Sequence, residues 1–153
     1  MQVRVAVERD RLPMARLFAA VAAERTGIAS EPPVDVDARA ARFDLDTTFV
    51  AEADGEIVGL VVLYPDGEGG ADLGMLVAKS RRRRGVGRAL VEAAVSWAKA
   101  QGLQRLVLDV FSRNAGAIAL YRACGFVEDG RTREVPRASG EVWEAVGMTL
   151  ELS

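Results

Sequence analysis

Polar and apolar positions alternate from the start of the chain: "QVRVAV", residues 2–7, has the period of two that marks a half-buried strand. Asp10 is then the expected N-cap of a helix over "RLPMARLFAAVAAERTG", where Leu17 and Val21 belong to an apolar stripe, Pro13 suits the first turn and Gly27 is the expected stop. "ASEPPVDVD" reads as a loop and "ARAARF" as a short second helix. "TTFVAEADGEIVGLVVLY" is a predicted β-hairpin whose Asp54-Gly55 dipeptide suits a type I′ turn. Its second strand is apolar on both faces and is therefore placed in the centre of a sheet.

After the turn "PDGEGG", "ADLGMLVA" reads as the next strand, and residues 86–101 carry Val86, Leu90, Ala93, Ala94 and Trp97 at helical spacing, with Gly102 beyond the end. "LQRLVLDVF" is a buried strand, "NAGAIALYRAC" a short helix and "GFVEDG" the start of a strand. "REVPRASGEV" reads as a loop or hairpin, and "VWEAVGMTLEL" closes the chain as a strand with Val142, Val146, Met148, Leu150 and Leu152 on one face. The order β-α-α-β-β-β-α-β-α-β-β predicts an α/β (α+β) fold, a mixed sheet with helices on its faces.

Composition narrows what such a fold does. At 153 residues, half of them apolar, the chain is expected to form one domain with a real core, residues 1–153. Twenty basic and 22 acidic residues give a net charge of −2, unlike a surface tuned throughout to phosphate backbones. The chain has no histidine and a single cysteine, Cys124, so neither an internal disulfide nor a Cys/His metal site is expected. Acid–base chemistry must then fall to carboxylates, tyrosine, water or backbone. Cys124 itself, inside a helical pattern, reads as a small buried hydrophobe. No apolar run is long enough for a membrane span and the N-terminus lacks a signal-peptide pattern, which places the protein in the cytoplasm as an expectation.

The stretch "RRRRGVGRAL", residues 81–90, stands out from this background. As a nucleic-acid patch it is one short run in an acidic chain, without interleaved aromatic residues. As a dinucleotide fingerprint it fails, because Leu90 stands where G-x-G-x-x-G needs its third glycine. A solvated helix start explains the charges but not two glycines. Gly85 and Gly87 between a strand and a helix instead suit a pyrophosphate cradle, in which backbone N–H groups point at one spot at the positive end of the helix dipole.

Arg82, Gly85 and Gly87 fit the Q/R-x-x-G-x-G/A signature of the GNAT superfamily of N-acetyltransferases, which this sequence resembles. "NAGAIALYRACGF" is similar to a second block of that family, with Asn114, Ala117, Tyr121, Gly125 and Phe126 in register, and the hairpin and closing strand extend the likeness over nearly the whole chain. Lys79 and Arg83 depart from the proline and glycine common at those positions.

The resemblance implies a mostly antiparallel sheet of six to seven strands, flanked by about four helices and splayed between its fourth and fifth strands. It implies acetyl-CoA as co-substrate: Met75, Leu76 and Val77 along the pantetheine arm, one of their N–H groups polarising the thioester carbonyl, and Arg82, Arg83, Arg84, Gly85, Val86, Gly87 and Arg88 around the pyrophosphate. Asn114 would bind the pantetheine arm, Ala117 would allow close approach, and Tyr121 would protonate the departing thiolate. The reaction implied is direct attack by a primary amine of a small molecule or peptide. An amine of ordinary pKa must first lose a proton. Asp72 is the leading candidate base, with Glu52, Asp109 and water as alternatives. Acceptor choice is expected to lie in residues 26–42 and 131–141, where Glu31, Asp35 and Asp37 hint at a cationic acceptor. Neither nucleic acid nor membrane is expected as a partner, and a homodimer is compatible with the reading. The rival reading is an acetyl-CoA-binding sensor or scaffold.

Overall fold

The structure, a computed structural model, describes residues 1–152; the last residue of the expected 1–153 domain lies outside them. Its elements follow the predicted order: β1 (Gln2–Val5), α1 (Arg11–Ala23), α2 (Val36–Arg42), β2 (Thr48–Ala53), β3 (Glu56–Pro65), β4 (Gly70–Val77), α3 (Val86–Ala100), β5 (Arg105–Phe111), α4 (Ala115–Ala123), β6 (Val127–Pro136) and β7 (Val142–Glu151). The seven strands form one sheet in the order β1-β2-β3-β4-β5-β7-β6, antiparallel except where β4 meets β5.

Both faces are covered. Met14, Ala15 and Val21 of α1, with Ala40 of α2, pack on Val50, Leu60, Val62 and Leu76. On the other face Val86, Leu90, Val91 and Ala94 of α3 and Tyr121 of α4 pack on Val61, Leu63, Leu106 and Leu108. Strand β3 therefore buries residues on both sides, which is the physical reason for its unbroken apolar run. At the β2–β3 turn Asp54 has φ 53° and Gly55 φ 77°, the pair of positive angles that a type I′ turn demands. Among the described residues no helix is long and apolar enough to cross a membrane.

Three local expectations are corrected. Asp10 does not cap α1. Its buried carboxylate accepts two hydrogen bonds from Arg4 (2.7 and 3.0 Å) and one from the Val7 N–H (2.8 Å), and Arg4 also reaches Glu52 at 2.6 Å. Helix α1 ends at Ala23 rather than at Gly27, with Arg25 in a left-handed turn at φ 62°. The Arg25 and Ala29 carbonyls beyond it accept from the guanidinium of Arg137 (2.9 and 3.0 Å), a tertiary partner that no local helix-stop rule anticipates.

Strand β6 runs ten residues, longer than the strand start expected, and the loop or hairpin expected after it is a hairpin, with Pro136 of β6 paired to Val142 of β7. β6 is an edge strand with charged side chains and a register shift against β7 between Glu128 and Thr132. Gly147 makes room there, since a Cβ at that position would lie 2.6 Å from the Arg131 guanidinium.

The Arg4–Asp10 pair carries a stability prediction. Hydrogen bonding from Arg4 holds the Asp10 carboxyl below its ordinary range. The associated stabilisation is full above about pH 4 and fades as pH falls through the lower native value. Removing one partner of a largely buried pair exposes the other to its desolvation cost, so Asp10→Ala is expected to lose about 2 kcal/mol at neutral pH, a Tm drop of roughly 4–8 °C. Thermal melts should show that gap narrowing below about pH 4; equal Tm values at neutral pH would refute the role.

Candidate active site

Strands β4 and β5 begin side by side and then part. Gly70, Ala71 and Asp72 pair in parallel with Arg105, Leu106 and Val107. Beyond these, β4 stays on β3 through Val77 while β5 stays on β7 through Phe111. From Leu73 onward the backbone groups of β4 that face β5 have no strand partner there. The wedge is a cavity of about 1070 Å³, with Leu73–Val77 on one side and Asn114, Ala117 and Tyr121 of α4 on the other.

At one end of this wedge the chain leaves β4 through a 3₁₀ turn at Lys79–Arg81 and enters α3. Arg83 (φ 63°) and Gly85 (φ 84°) are both left-handed, so the loop folds back just before the helix. The bond from the Ala89 N–H to the Gly85 carbonyl (3.1 Å) is the first of α3. The N–H groups of Val86, Gly87 and Arg88 thus have no helical acceptor and sit at the positive end of the dipole. Gly87 lines the cavity, and a Cβ there would come within 2.7 Å of Leu120 Cδ2 and 3.3 Å of Met75 Cε.

The arginine run divides by role. Arg82 donates through Nε to the Val77 carbonyl (3.1 Å) and through both terminal nitrogens to Glu24 (2.6 and 2.8 Å), whose carboxyl it pulls below the ordinary range. Its side chain ties the loop to the ends of β4 and α1, and the residue also lines the cavity. Arg81 pairs with Asp54 (3.1 Å) and Arg88 with Glu92 (3.3 Å), while Arg83 and Arg84 make no ion pair among the described residues.

On α4, Asn114 is the N-cap, accepting from the Ala117 N–H at 3.2 Å, which leaves its amide donors free. Tyr121 is buried, edge-on to Phe126 with ring centroids 5.7 Å apart, and burial pushes its hydroxyl well above the ordinary phenol value. Asn114, Ala117 and Tyr121 all line the cavity, together with Met75, Leu76 and Val77.

Of the three carboxylates considered as bases, Asp109 lines the cavity and Asp72 and Glu52 do not. Glu52 is held by Arg4 at the β1–β2 side. Asp72 lies on the same sheet face as Asp109, and burial together with the charge of Asp109 raises its pKa. Asp109 itself has Arg131 at 3.2 Å and Arg133 at 3.8 Å. The acidic residues of the α1–α2 loop are engaged elsewhere: Glu31 accepts from the Ala138 N–H (2.8 Å) and Asp35 caps α2 through the Ala38 N–H (3.0 Å).

Several residues that build the cavity carry no local signal. Glu24, which positions Arg82, is one charge among many at a helix end. Phe111, Arg113 and Trp143 form the wall away from α3. The only hint to them is an arginine directly before Asn114 and a tryptophan in the closing strand.

Comparison with known proteins gives a consistent result. The family model described as "Acetyltransferase (GNAT) family" matches residues 14–126. An L-methionine sulfoximine/L-methionine sulfone acetyltransferase of Pseudomonas paraeruginosa is 30% identical over 138 residues, 83% of this chain and 80% of that protein. A crystal structure of a ribosomal-protein-alanine N-acetyltransferase from Brucella melitensis superposes with TM-score 0.88 at 26% identity, covering 99% of this chain and 100% of that one. The structure of yncA from Salmonella typhimurium with its cofactor acetyl-CoA superposes with TM-score 0.87 at 22% identity, covering 100% of this chain and 94% of that one.

Proposed function

Because the chain belongs to the GNAT family of acetyltransferases and uses acetyl-CoA, we propose that the β4–β5 wedge transfers an acetyl group to a primary amine by direct attack, with the whole chain acting as one domain. The observation that carries this reading is the end of the parallel ladder at Asp72, which frees the β5-facing edge of β4 directly beside the first turn of α3. Three unpaired N–H groups at a helix start suit a pyrophosphate, and an unpaired strand edge suits an amide-bearing arm. When bound, acetyl-CoA supplies a thioester: the C–N bond forms as the C–S bond breaks, and the thiolate leaves.

The chain's own groups then have separate tasks. One N–H among Met75, Leu76 and Val77 polarises the carbonyl where negative charge develops. Asn114, its oxygen already used as a cap, orients the arm through its amide N–H groups. Asp109, or a water held by it, takes the proton that the amine must lose, with Asp72 as the next carboxyl along the same face. Tyr121 donates its proton to the leaving sulfur. Burial keeps that phenol protonated, as an acid must be before it acts.

The test has two readouts. Millimolar acetyl-CoA should raise Tm, because a ligand that binds only the folded state stabilises by about 2.7 kcal/mol at a hundred times its Kd. Free thiol should then accumulate when amines are added. A Tm rise with no turnover on any amine would favour the sensor or scaffold reading; no rise at all would remove both.

A further inference from the structure

Two arginines at one end of the cavity, Arg113 and Arg133, make no side-chain hydrogen bond to the chain among the described residues. Arg113 lines that end, and its guanidinium carbon stands 4.1 Å from the centroid of the Trp143 ring. Stacked there, Arg113 forms no hydrogen bond or ion pair among the described residues, and as an exposed residue on the cavity rim it keeps its donors open to a ligand. The indole N–H of Trp143 is buried without an acceptor, and so is the Nε–H of Arg137 behind it, whose guanidinium lies 4.5 Å from the same ring. Arg133 also lines the cavity, and its nearest carboxylate, Asp109, is at 3.8 Å, beyond hydrogen-bond reach. Glu31, the other carboxylate close by, is already shared among Ala138, Arg25 and Arg137.

Water satisfies the exposed Arg113 and Arg133 guanidinium groups in the free protein, and a ligand that displaces that water must offer acceptors in its place. An oxyanion does so best, since a carboxylate matches the guanidinium fork with two parallel hydrogen bonds. A cationic acceptor would meet Arg113 and Arg133 with like charge.

We infer that the acceptor is a small zwitterionic amine of amino-acid type: its oxyanion docks on Arg113, supported by Arg133, while its amine lies toward Asp109. This rests on the acetyl-transfer reading above and replaces the cationic acceptor suggested by Glu31, Asp35 and Asp37.

The experiment follows thiol release by the full chain with acetyl-CoA on the proteinogenic amino acids. Each is set against its carboxamide, its decarboxylated amine and a tripeptide beginning with the same residue. Losing a charge-assisted pair is worth about tenfold or more, so at least one free amino acid should exceed its carboxamide and its amine by that factor in kcat/KM. Arg113→Gln should raise KM for that amino acid and bring the acid-to-amide ratio toward unity, with Arg113→Lys retaining part of the preference. The acetyl-CoA-induced rise in Tm should persist in both variants as the control for folding.

Equal use of acids and amides, preference for the decarboxylated amines or for the tripeptides, or no turnover of any free amino acid would each overturn the inference. So would an equal loss in Arg113→Gln on acid and amide, which would mean that Arg113 only packs on Trp143. Absence of any Tm response to acetyl-CoA in the unaltered protein would instead fail the acetyl-transfer reading itself.

Discussion

Replacing Gly87 with valine should leave the protein folded but unable to respond to acetyl-CoA. Gly87 stands in the first turn of α3 on the cavity wall, where even an added Cβ would meet Leu120 Cδ2 at 2.7 Å and Met75 Cε at 3.3 Å. A branched side chain would fill the gap between the start of α3 and the cavity face of α4, where the proposed reading places the phosphates and the pantetheine arm. At a hundred times Kd the unaltered protein gains about 2.7 kcal/mol, roughly 5–10 °C in Tm for a chain of this size. The variant should show no shift at the same concentration and keep a cooperative melt of its own. Gly87→Ala should be intermediate, because the nearest atom is the mobile end of a leucine. A full shift in Gly87→Val would mean that the phosphates bind elsewhere.

Tyr121→Phe should act on the chemical step instead. The tyrosine hydroxyl makes no hydrogen bond among the described residues, and the ring keeps its edge-on contact with Phe126 in the variant, so stability should change little. The lost donor matters mainly as negative charge builds on sulfur. Because a thiolate can depart unaided at neutral pH, the expected fall in kcat lies at the low end of general acid catalysis, about a hundredfold, with acetyl-CoA affinity nearly unchanged. Burial raises the phenol above its ordinary value, so the protonated acid persists to higher pH. Any falling basic limb in the neutral to mildly alkaline range should therefore survive in the variant. An unchanged kcat would show that Tyr121 only packs in the wall and that water protonates the thiolate.

How far the sequence reaches follows from the range of the interactions involved. Element order, the central place of β3, the Asp54-Gly55 turn and the limits of α3 were legible because each depends on periodicity or on backbone chemistry within a few residues. The junction at Gly85 and Gly87, proposed above to hold the pyrophosphate, was legible for the same reason: a strand end, two glycines and a helix start are consecutive in the chain. Asp10 shows where such rules stop. It has the right residue type for a cap, yet a guanidinium on β1 and the N–H of Val7 claim its carboxylate, and the competition is decided by packing.

At the proposed acceptor end the sequence reached only to segment 131–141 and to Asp109 as one of several carboxylates; which side chains meet there was decided by tertiary structure. Arg137 collects carbonyls from the end of α1, Arg113 stacks on Trp143 from the neighbouring strand, and Asp109 enters the cavity because β5 leaves β4 after three paired residues. Apart from Arg113, directly before Asn114, none of these residues has a distinctive neighbour in sequence. Their partners lie on other elements of the sheet, and a hydrogen-bond donor without an acceptor becomes visible only when everything around it has been placed.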